Sequence, residues 1–275
     1  MSKPTVALQL YTVRDFAAKD LPGTLKQVKA MGYDTVELAG TYDLETADFK
    51  KLLDDNGLEA VSAHVGYQAF EADAAGTVAM YKALGCKIVS IPWLGLESLP
   101  GGPDFDKTKA LMTKIAALCK EQGMVLGYHN HAFELTETTP CGAFVLDALF
   151  DALPADVLQA QLDTGWVTAA GQDSVAYIKK YAGRCPTVHL KDIVKSGGDT
   201  AKAAVELLGS DTGLELDAKY EDRPVGQGMQ DMPAVTKAAI ENGAWLMVVE
   251  LDEAVGMTSL EAAKQSREYL KSLGY

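Results

Sequence analysis

Ionisable side chains stand where short apolar stretches of this chain end, and their types favour metal chemistry. Glu37, Asp163 and Glu250 each close a stretch that is otherwise apolar. A charge buried in such a place is costly unless a positive partner compensates for it. The pattern therefore predicts that these carboxylates surround something cationic.

A divalent metal ion is the cation that the neighbouring residues favour. Three carboxylates and a neutral imidazole form a hard, mainly oxygen site, which suits Mn²⁺, Mg²⁺ or Co²⁺ and also tolerates Zn²⁺. We expect one such ion, with Mn²⁺ as the first choice. The predicted metal ligands are Glu134, Asp163, His189 and Glu250.

Further polar and aromatic residues end or follow the same stretches and are candidates for binding a substrate. They are Gln9, Glu37, His64, Trp93, His129, Trp166 and Arg223. Plainer explanations stay open for some of them: His64 and His129 as hydrogen-bonded core imidazoles, and the two tryptophans as packing at the rim. Lys191 is a candidate electrophile, and an ion pair with Asp252 is the alternative.

The elements that must position these residues are visible as short β-rich apolar runs that alternate with helical patterns. The eight predicted strands span residues 6–10, 35–38, 59–64, 88–91, 125–130, 158–163, 187–191 and 246–251. The predicted helices span residues 21–31, 46–56, 72–84, 106–122, 142–149, 174–181, 232–242 and 259–273. Five of these helices are followed by a glycine just before the next strand, as a left-handed C-cap requires.

Eight such units predict an α/β fold, a (β/α)8 TIM barrel, formed as a single domain over residues 1–275. An open doubly wound sheet is the alternative, but no Gly-x-Gly-x-x-Gly turn follows the first strand. In a TIM barrel the active site lies at the C-terminal ends of the strands, where the candidate residues stand.

One connection is longer than the others. Residues 193–229 follow the seventh predicted strand, are rich in Gly, Asp and Lys, and contain a short helical pattern over 200–208. Long segments of this kind in compact domains usually serve a function, so we predict a lid over the site. A mobile surface insertion is the alternative.

Four motifs occur in order on the last four predicted strands: Tyr-His-Asn-His-x-Phe-Glu, Leu-Asp-Thr-Gly-Trp, His-Leu-Lys-Asp and Val-Val-Glu-Leu-Asp. With them the chain resembles the xylose isomerase-like TIM barrel superfamily of sugar phosphate isomerases and epimerases over nearly its whole length. The resemblance implies that strands five to eight hold one metal through Glu134, Asp163, His189 and Glu250. Strand five departs from members that end it in Glu, so His129 or His131 is the alternative to Glu134.

The resemblance also implies an enzyme that isomerises or epimerises a keto-sugar through a metal-stabilised enediolate. Glu134 and Glu250 are then expected as acid and base, and His131 or Lys191 as the group that polarises an oxygen. Two alternatives are a metal-dependent dehydratase of an inosose-like ketone, which shares the enediolate, and a non-catalytic sugar-binding barrel.

Composition narrows the partners further. The 38 acidic against 25 basic residues give a formal charge of −13, which disfavours nucleic acid. With four histidines, a three-metal nuclease of the endonuclease IV type is also disfavoured. The four dispersed cysteines are expected as free thiols. We further expect a small carbohydrate substrate, no membrane partner and a cytoplasmic location, and a homo-oligomer is possible.

Overall fold

A computed structural model describes residues 3–196 and 219–275 and shows a closed barrel of eight parallel strands. The barrel strands are β1 (Thr5–Gln9), β2 (Thr35–Ala39), β3 (Glu59–His64), β4 (Ile88–Ile91), β5 (Val125–His129), β6 (Gln159–Asp163), β7 (Thr187–Leu190) and β10 (Leu246–Val249). Their order around the barrel is β1-β10-β7-β6-β5-β4-β3-β2. The predicted TIM barrel and all eight predicted strands are confirmed, with shifts of one or two residues at their ends.

Helices surround the barrel and connect successive strands. They are α1 (Arg14–Ala17), α2 (Leu21–Ala30), α3 (Thr46–Asp55), α4 (Tyr67–Leu84), α5 (Phe105–Glu121), α6 (Val145–Ala152), α7 (Thr164–Ala169), α8 (Ser174–Lys180), α9 (Met232–Glu241) and α10 (Ser259–Ser272). The largest difference concerns α4: it begins at Tyr67, because a short helix precedes the predicted one and joins it across a kink at Asp73. The short helices α1 and α7 were not predicted, because each is too brief for a periodic pattern.

The barrel interior changes character along its axis. Near the N-terminal ends of the strands it is filled by the apolar side chains of Ala7, Val61, Leu246 and Val248. The main apolar core lies between the strands and the surrounding helices. Polar side chains that alternate with apolar ones along the strands therefore collect toward the C-terminal mouth, where the interior is no longer apolar.

The pairing of β2 with β3 shifts its register by one residue. Val36 pairs with Ala60, whereas the next residue, Glu37, pairs with Ser62. Because successive side chains of a strand point to opposite faces, a shift of this kind changes which β3 residues share a face with Glu37. It brings the Ser62 hydroxyl to the Glu37 carboxylate, at 2.6 Å.

The long connection after β7 is described at both of its ends. Two strands, β8 (Asp192–Ser196) and β9 (Lys219–Arg223), form an antiparallel ribbon that starts at the barrel mouth. The Asp192 carboxylate accepts hydrogen bonds from the backbone amides of Gly226 and Gly228 and so ties the end of the connection to its beginning. The helical pattern predicted over 200–208 lies outside the described residues, and the lid stays a prediction.

The helices that the structure describes do not indicate a membrane-spanning segment. Within residues 3–196 and 219–275, none of them combines the length and the apolar character that a bilayer crossing requires.

Candidate active site

Four side chains from four adjacent barrel strands meet at the mouth of the barrel. His129 ends β5, Asp163 ends β6, His189 lies in β7, and Glu250 directly follows β10. One ligand atom of each lies within 4.8 Å of the corresponding atoms of the others, and all four residues are buried. We call these four residues the donor group. Two imidazoles and two carboxylates suit a divalent transition metal.

Asp163 has one carboxylate oxygen that its surroundings leave without a hydrogen bond. Its Oδ1 accepts from the backbone amide of Trp166 at 2.9 Å and thereby caps α7. Its Oδ2 is buried and has no hydrogen-bond partner in the described part of the chain. Burial raises the pKa of Asp163 to about 7, although Lys191 opposes the shift. A buried acceptor of this kind is what a bound cation would satisfy.

Lys191 supplies a fixed positive charge beside the donor group. Its Nζ lies 2.5 Å from Asp252, 3.5 Å from Asp163 and 3.6 Å from Glu250. The side chain is only 1% exposed. Burial alone would lower the pKa of Lys191, but the surrounding carboxylates hold it well above its ordinary value. The ammonium also lies 5.1 Å from the centroid of the Trp166 ring.

His189 is held between two carboxylates. Its Nδ1 lies 2.7 Å from Glu250 Oε2, and its Nε2 lies 2.7 Å from Glu37 Oε1. Burial disfavours the charged imidazole, but the two carboxylates outweigh it and raise the pKa of His189 to about 10. The two carboxylates therefore favour the charged form of this imidazole.

Glu37 is the centre of a buried polar network beneath the donor group. Neutral side chains donate to both of its oxygens: Gln9 at 2.7 Å to Oε1, and Ser62 at 2.6 Å and Gln161 at 2.7 Å to Oε2. His64 Nε2 lies 3.1 Å from Oε1. Burial opposes ionisation, but the charges of His189 and His64 lower the pKa of Glu37 to about 2. The predicted substrate contacts Gln9 and Glu37 thus lie fully buried in this network.

Glu134 does not join the donor group. It lies in a 3₁₀ turn beyond β5, where its Oε1 accepts from the Tyr128 hydroxyl and its Oε2 from the backbone amide of His131, both at 2.8 Å. Both oxygens thus already accept hydrogen bonds from β5 and from the loop that follows it, and burial raises the pKa of Glu134 to about 7. The structure instead brings His129 of strand five to the donor group, which was the alternative left open by the sequence.

The other predicted residues are distributed between the mouth and its rim. His131 and Trp166 lie side by side, with ring centroids 5.5 Å apart, and His131 Nδ1 and Trp166 Nε1 are buried without a hydrogen-bond partner among the described residues. His64 Nε2 donates a hydrogen bond to Gln161 Oε1, 2.8 Å away. Trp93 lines a separate cavity of about 220 Å³ beside α4 and α5. Arg223 lies on the ribbon and pairs with Glu221 at 2.7 Å.

The sequence analysis does not identify several residues of the site. Gln161 bridges His64 and Glu37, and Asn130 Oδ1 accepts from the backbone amide of Asp163 at 3.0 Å. Asp222 of the ribbon accepts from the backbone amides of Asp252 and Glu253. For Gln161 a signal existed: it stands two residues before Asp163 in an alternating strand, so both side chains point into the barrel.

A family model described as xylose isomerase-like TIM barrel matches residues 25–273. The chain is similar to an inosose dehydratase of Clostridium perfringens, with 27% identity over 271 residues that cover 90% of this chain and 88% of that protein.

Two solved structures share the fold. A sugar phosphate isomerase/epimerase from Parabacteroides distasonis superposes with a TM-score of 0.78 at 22% identity and covers 99% of this chain and 95% of its own. The IOLI protein, whose crystal structure holds a zinc atom, superposes with a TM-score of 0.67 at 16% identity and covers 98% of this chain and 97% of its own.

Proposed function

Because this chain belongs to the xylose isomerase-like TIM barrel family, a family of sugar-processing barrels, we propose that it is a metal-dependent dehydratase of a polyhydroxylated, inosose-like ketone. The similarity to an inosose dehydratase favours this reaction over the isomerase or epimerase reaction that we expected first. The two reactions share the removal of a proton next to a carbonyl and differ in the fate of the enediolate.

The Asp163 Oδ2 atom carries the proposal: it has an ion-pair contact with Lys191 Nζ at 3.5 Å. It is a buried acceptor without a hydrogen bond among the described residues, and it faces His129, His189 and Glu250. These four residues would hold one divalent metal, with Mn²⁺ as our first choice and Co²⁺, Mg²⁺ or Zn²⁺ as alternatives. When bound, such an ion polarises the substrate carbonyl and stabilises the negative charge that develops on its oxygen. The zinc atom in the crystal structure of the IOLI protein, which shares this fold, supports a bound metal.

Two side chains are assigned to the chemical steps. We assign proton removal from the carbon next to the carbonyl to the Glu250 carboxylate. Lys191 Nζ, 3.6 Å from Glu250 Oε2, donates a hydrogen bond to the substrate oxygen on which charge develops. The electron pair of the broken carbon–hydrogen bond then forms a carbon–carbon double bond as the hydroxyl on the next carbon, β to the carbonyl, leaves. The proton held by Glu250 goes to that hydroxyl. One water leaves, and the enzyme returns to its starting protonation state.

Other residues orient the substrate. His131 Nδ1 and Trp166 Nε1 are buried and lack partners among the described residues, so we assign them to hydrogen bonds with substrate hydroxyls. Glu134 is expected from the sequence as an acid or base. We assign it instead to positioning His131, because it accepts a hydrogen bond from the His131 backbone amide. The Trp166 ring, half-buried beside Lys191, presents an apolar face to the substrate carbons.

The test is to incubate the Mn²⁺-loaded protein with an inosose in deuterated water and to follow the products by NMR and mass spectrometry. Loss of one water from the substrate supports the dehydratase. An isomer of unchanged composition with deuterium beside the carbonyl would support the isomerase or epimerase instead. Binding of the ketone without any conversion would favour the non-catalytic sugar-binding barrel. The comparison variant is Asp163→Asn, which replaces one oxygen of a proposed metal ligand by nitrogen at nearly constant volume.

A further inference from the structure

We propose that Asp222 of β9 is a positioning residue: it fixes the backbone on both sides of Asp252, whose carboxylate in turn holds the Lys191 ammonium beside the donor group. This inference rests on the catalytic role of Lys191 in the proposed function. It gives the ribbon of β8 and β9 a task in the same reaction, although the donor group itself comes from the barrel.

The position of the Lys191 ammonium depends on Asp252. Its Nζ lies 2.5 Å from Asp252 Oδ2, whereas the nearest oxygens of Asp163 and Glu250 are 3.5 and 3.6 Å away, beyond the usual hydrogen-bond distance. A lysine side chain is a flexible stem with rotatable donors, so a hydrogen bond at its end decides where the charge lies. A displacement of Asp252 would therefore displace the ammonium as well.

Asp252 lies in a segment without regular secondary structure. The strand before it ends at Val249, and the next helix begins at Ser259. Asp222 Oδ2 accepts hydrogen bonds from two consecutive backbone amides of this segment, that of Asp252 at 2.5 Å and that of Glu253 at 3.2 Å. These amides belong to the two peptide groups that flank the Asp252 Cα atom. Because peptide groups are planar, holding both of them fixes the backbone dihedral angles of Asp252 and the direction of its side chain.

Two further hydrogen bonds hold the same segment from the side of β1. Arg14 Nη2 donates to the Asp252 carbonyl at 2.7 Å, and the Leu251 amide donates to the Thr12 hydroxyl at 3.1 Å. Neither bond uses the amide of Asp252 or of the residue after it. They therefore do not replace the bonds to Asp222.

The ribbon carries Asp222 to this place. Its strand pairing sets Asp222 opposite Ile193, which stands two residues after Lys191. The strands that lead into Lys191 and Asp252, β7 and β10, are neighbours in the barrel. The contacts therefore form a closed path from Lys191 through the ribbon to Asp222, on to Asp252 and back to Lys191.

A direct effect of the Asp222 charge on Lys191 is the competing explanation. Among the described residues, the ion pairs of Lys191 are with Asp252, Asp163 and Glu250 and do not include Asp222. Both backbone amides donate to the same oxygen of Asp222, so the amide oxygen of an asparagine can accept both of them without a charge. Asp222→Asn should thus keep Asp252 in place, whereas Asp222→Ala should release it.

Crystal structures of the wild type, Asp222→Asn and Asp222→Ala test the positioning directly. We expect the contact between Lys191 Nζ and the Asp252 carboxylate in the first two proteins and its loss in the alanine variant. An unchanged contact in Asp222→Ala, or a lost contact in Asp222→Asn, would overturn the inference. If the alanine variant does not fold, Asp222→Ser takes its place, because its short hydroxyl does not reach the two amides but can still bind water.

Steady-state kinetics of the Mn²⁺-loaded enzyme with an inosose measure the consequence. We expect Asp222→Ala to lower kcat by about 10- to 100-fold with KM nearly unchanged, and Asp222→Asn to keep the wild-type kcat. In a Lys191→Met background, Asp222→Ala should lower kcat no further, because both changes act through one group. Independent, additive losses would contradict the inference.

The control is Asp156→Ala, an exposed change at the opposite end of the barrel, which should leave kcat and KM unchanged. A wild type that converts no inosose would contradict the proposed function but not the positioning. The crystal structures alone would then decide whether Asp222 fixes Lys191.

Discussion

His129 Nε2 and Asp163 Oδ2 face each other across 3.9 Å inside the barrel mouth. They end neighbouring strands, and this separation is too long for a direct hydrogen bond. Glu250 Oε2 lies 4.0 Å from the same nitrogen. Three buried donor atoms that surround a common space without bonding to each other are the arrangement expected of ligands that share one cation.

The first prediction concerns metal content. Protein purified without a metal-binding tag should hold about one divalent ion per chain, and Asp163→Asn should lose it, because the buried Oδ2 is replaced or reoriented. Mass spectrometry of the metals measures this directly. At a metal concentration of 1,000 times Kd, the wild type should gain about 4 kcal/mol of stability. The control is Asp156→Asn, an exposed change at the opposite end of the barrel, which should keep the metal. If the wild type holds no metal even after incubation with Mn²⁺ or Co²⁺, the proposed site is wrong.

The second prediction separates the two candidate ligands of strand five. His129→Gln should weaken metal binding by more than tenfold, whereas Glu134→Gln should bind metal as the wild type does. Glu134→Gln should instead lower the free energy of unfolding by about 1–3 kcal/mol, because the amide satisfies the Tyr128 and His131 donors less well. Calorimetric titration and denaturant unfolding measure the two effects. The reverse result would make Glu134 the ligand.

The third prediction concerns the charge of Lys191. Lys191→Met should raise metal affinity, because an ammonium 3.5 Å from Asp163 repels a second cation. The same change should lower kcat by about 10²- to 10³-fold, as expected when a donor to a developing oxyanion is lost. Lys195→Met, an exposed change on the ribbon, serves as the control. Tighter metal binding with unchanged kcat would leave Lys191 without a catalytic role.

The fourth prediction uses Gly165 to move Lys191 without altering its chemistry. A methyl group at Gly165 would lie 2.7 Å from Lys191 Cγ and 2.9 Å from its Cβ, so Gly165→Ala must displace the lysine stem. We expect a loss of about 1–3 kcal/mol in stability and a lower kcat. Gly66→Ala, where the nearest atom lies 3.5 Å away, is the matched control. Wild-type kcat in folded Gly165→Ala would show that the position of Lys191 is not critical.

The fifth prediction concerns pH and Asp222. Burial, with the charge of Asp252, raises the pKa of Asp222 to about 7 from its ordinary 3.8. The folded state then binds this proton more tightly than the unfolded state, so the contribution to stability falls as pH rises from about 4 to about 7. Asp222→Asn should lose that slope and be more stable than the wild type near pH 8. Thermal unfolding in chelator across this range measures it, and parallel pH profiles of wild type and variant would contradict the shift.

The sequence by itself determined the fold and the chemical character of the mouth. The eight strands and the glycine stops are local signals, because hydrophobic periodicity and C-cap geometry depend on neighbouring residues. A barrel of parallel strands then requires Asp163, His189 and Glu250 to lie at one end, since parallel strands present their C-termini together. Their types were enough to predict a cationic partner.

Only the tertiary structure decided how these residues meet. Glu134 and His129 stand five residues apart, and the turn after β5 is what directs the first to Tyr128 and the second to the donor group. The register shift between β2 and β3 sets Ser62 against Glu37. Closure of the barrel brings Glu37 of β2 to His189 of β7. Such distances depend on the strand register and on the closure of the barrel. Both are determined by the whole sheet, so no single stretch of sequence predicts them.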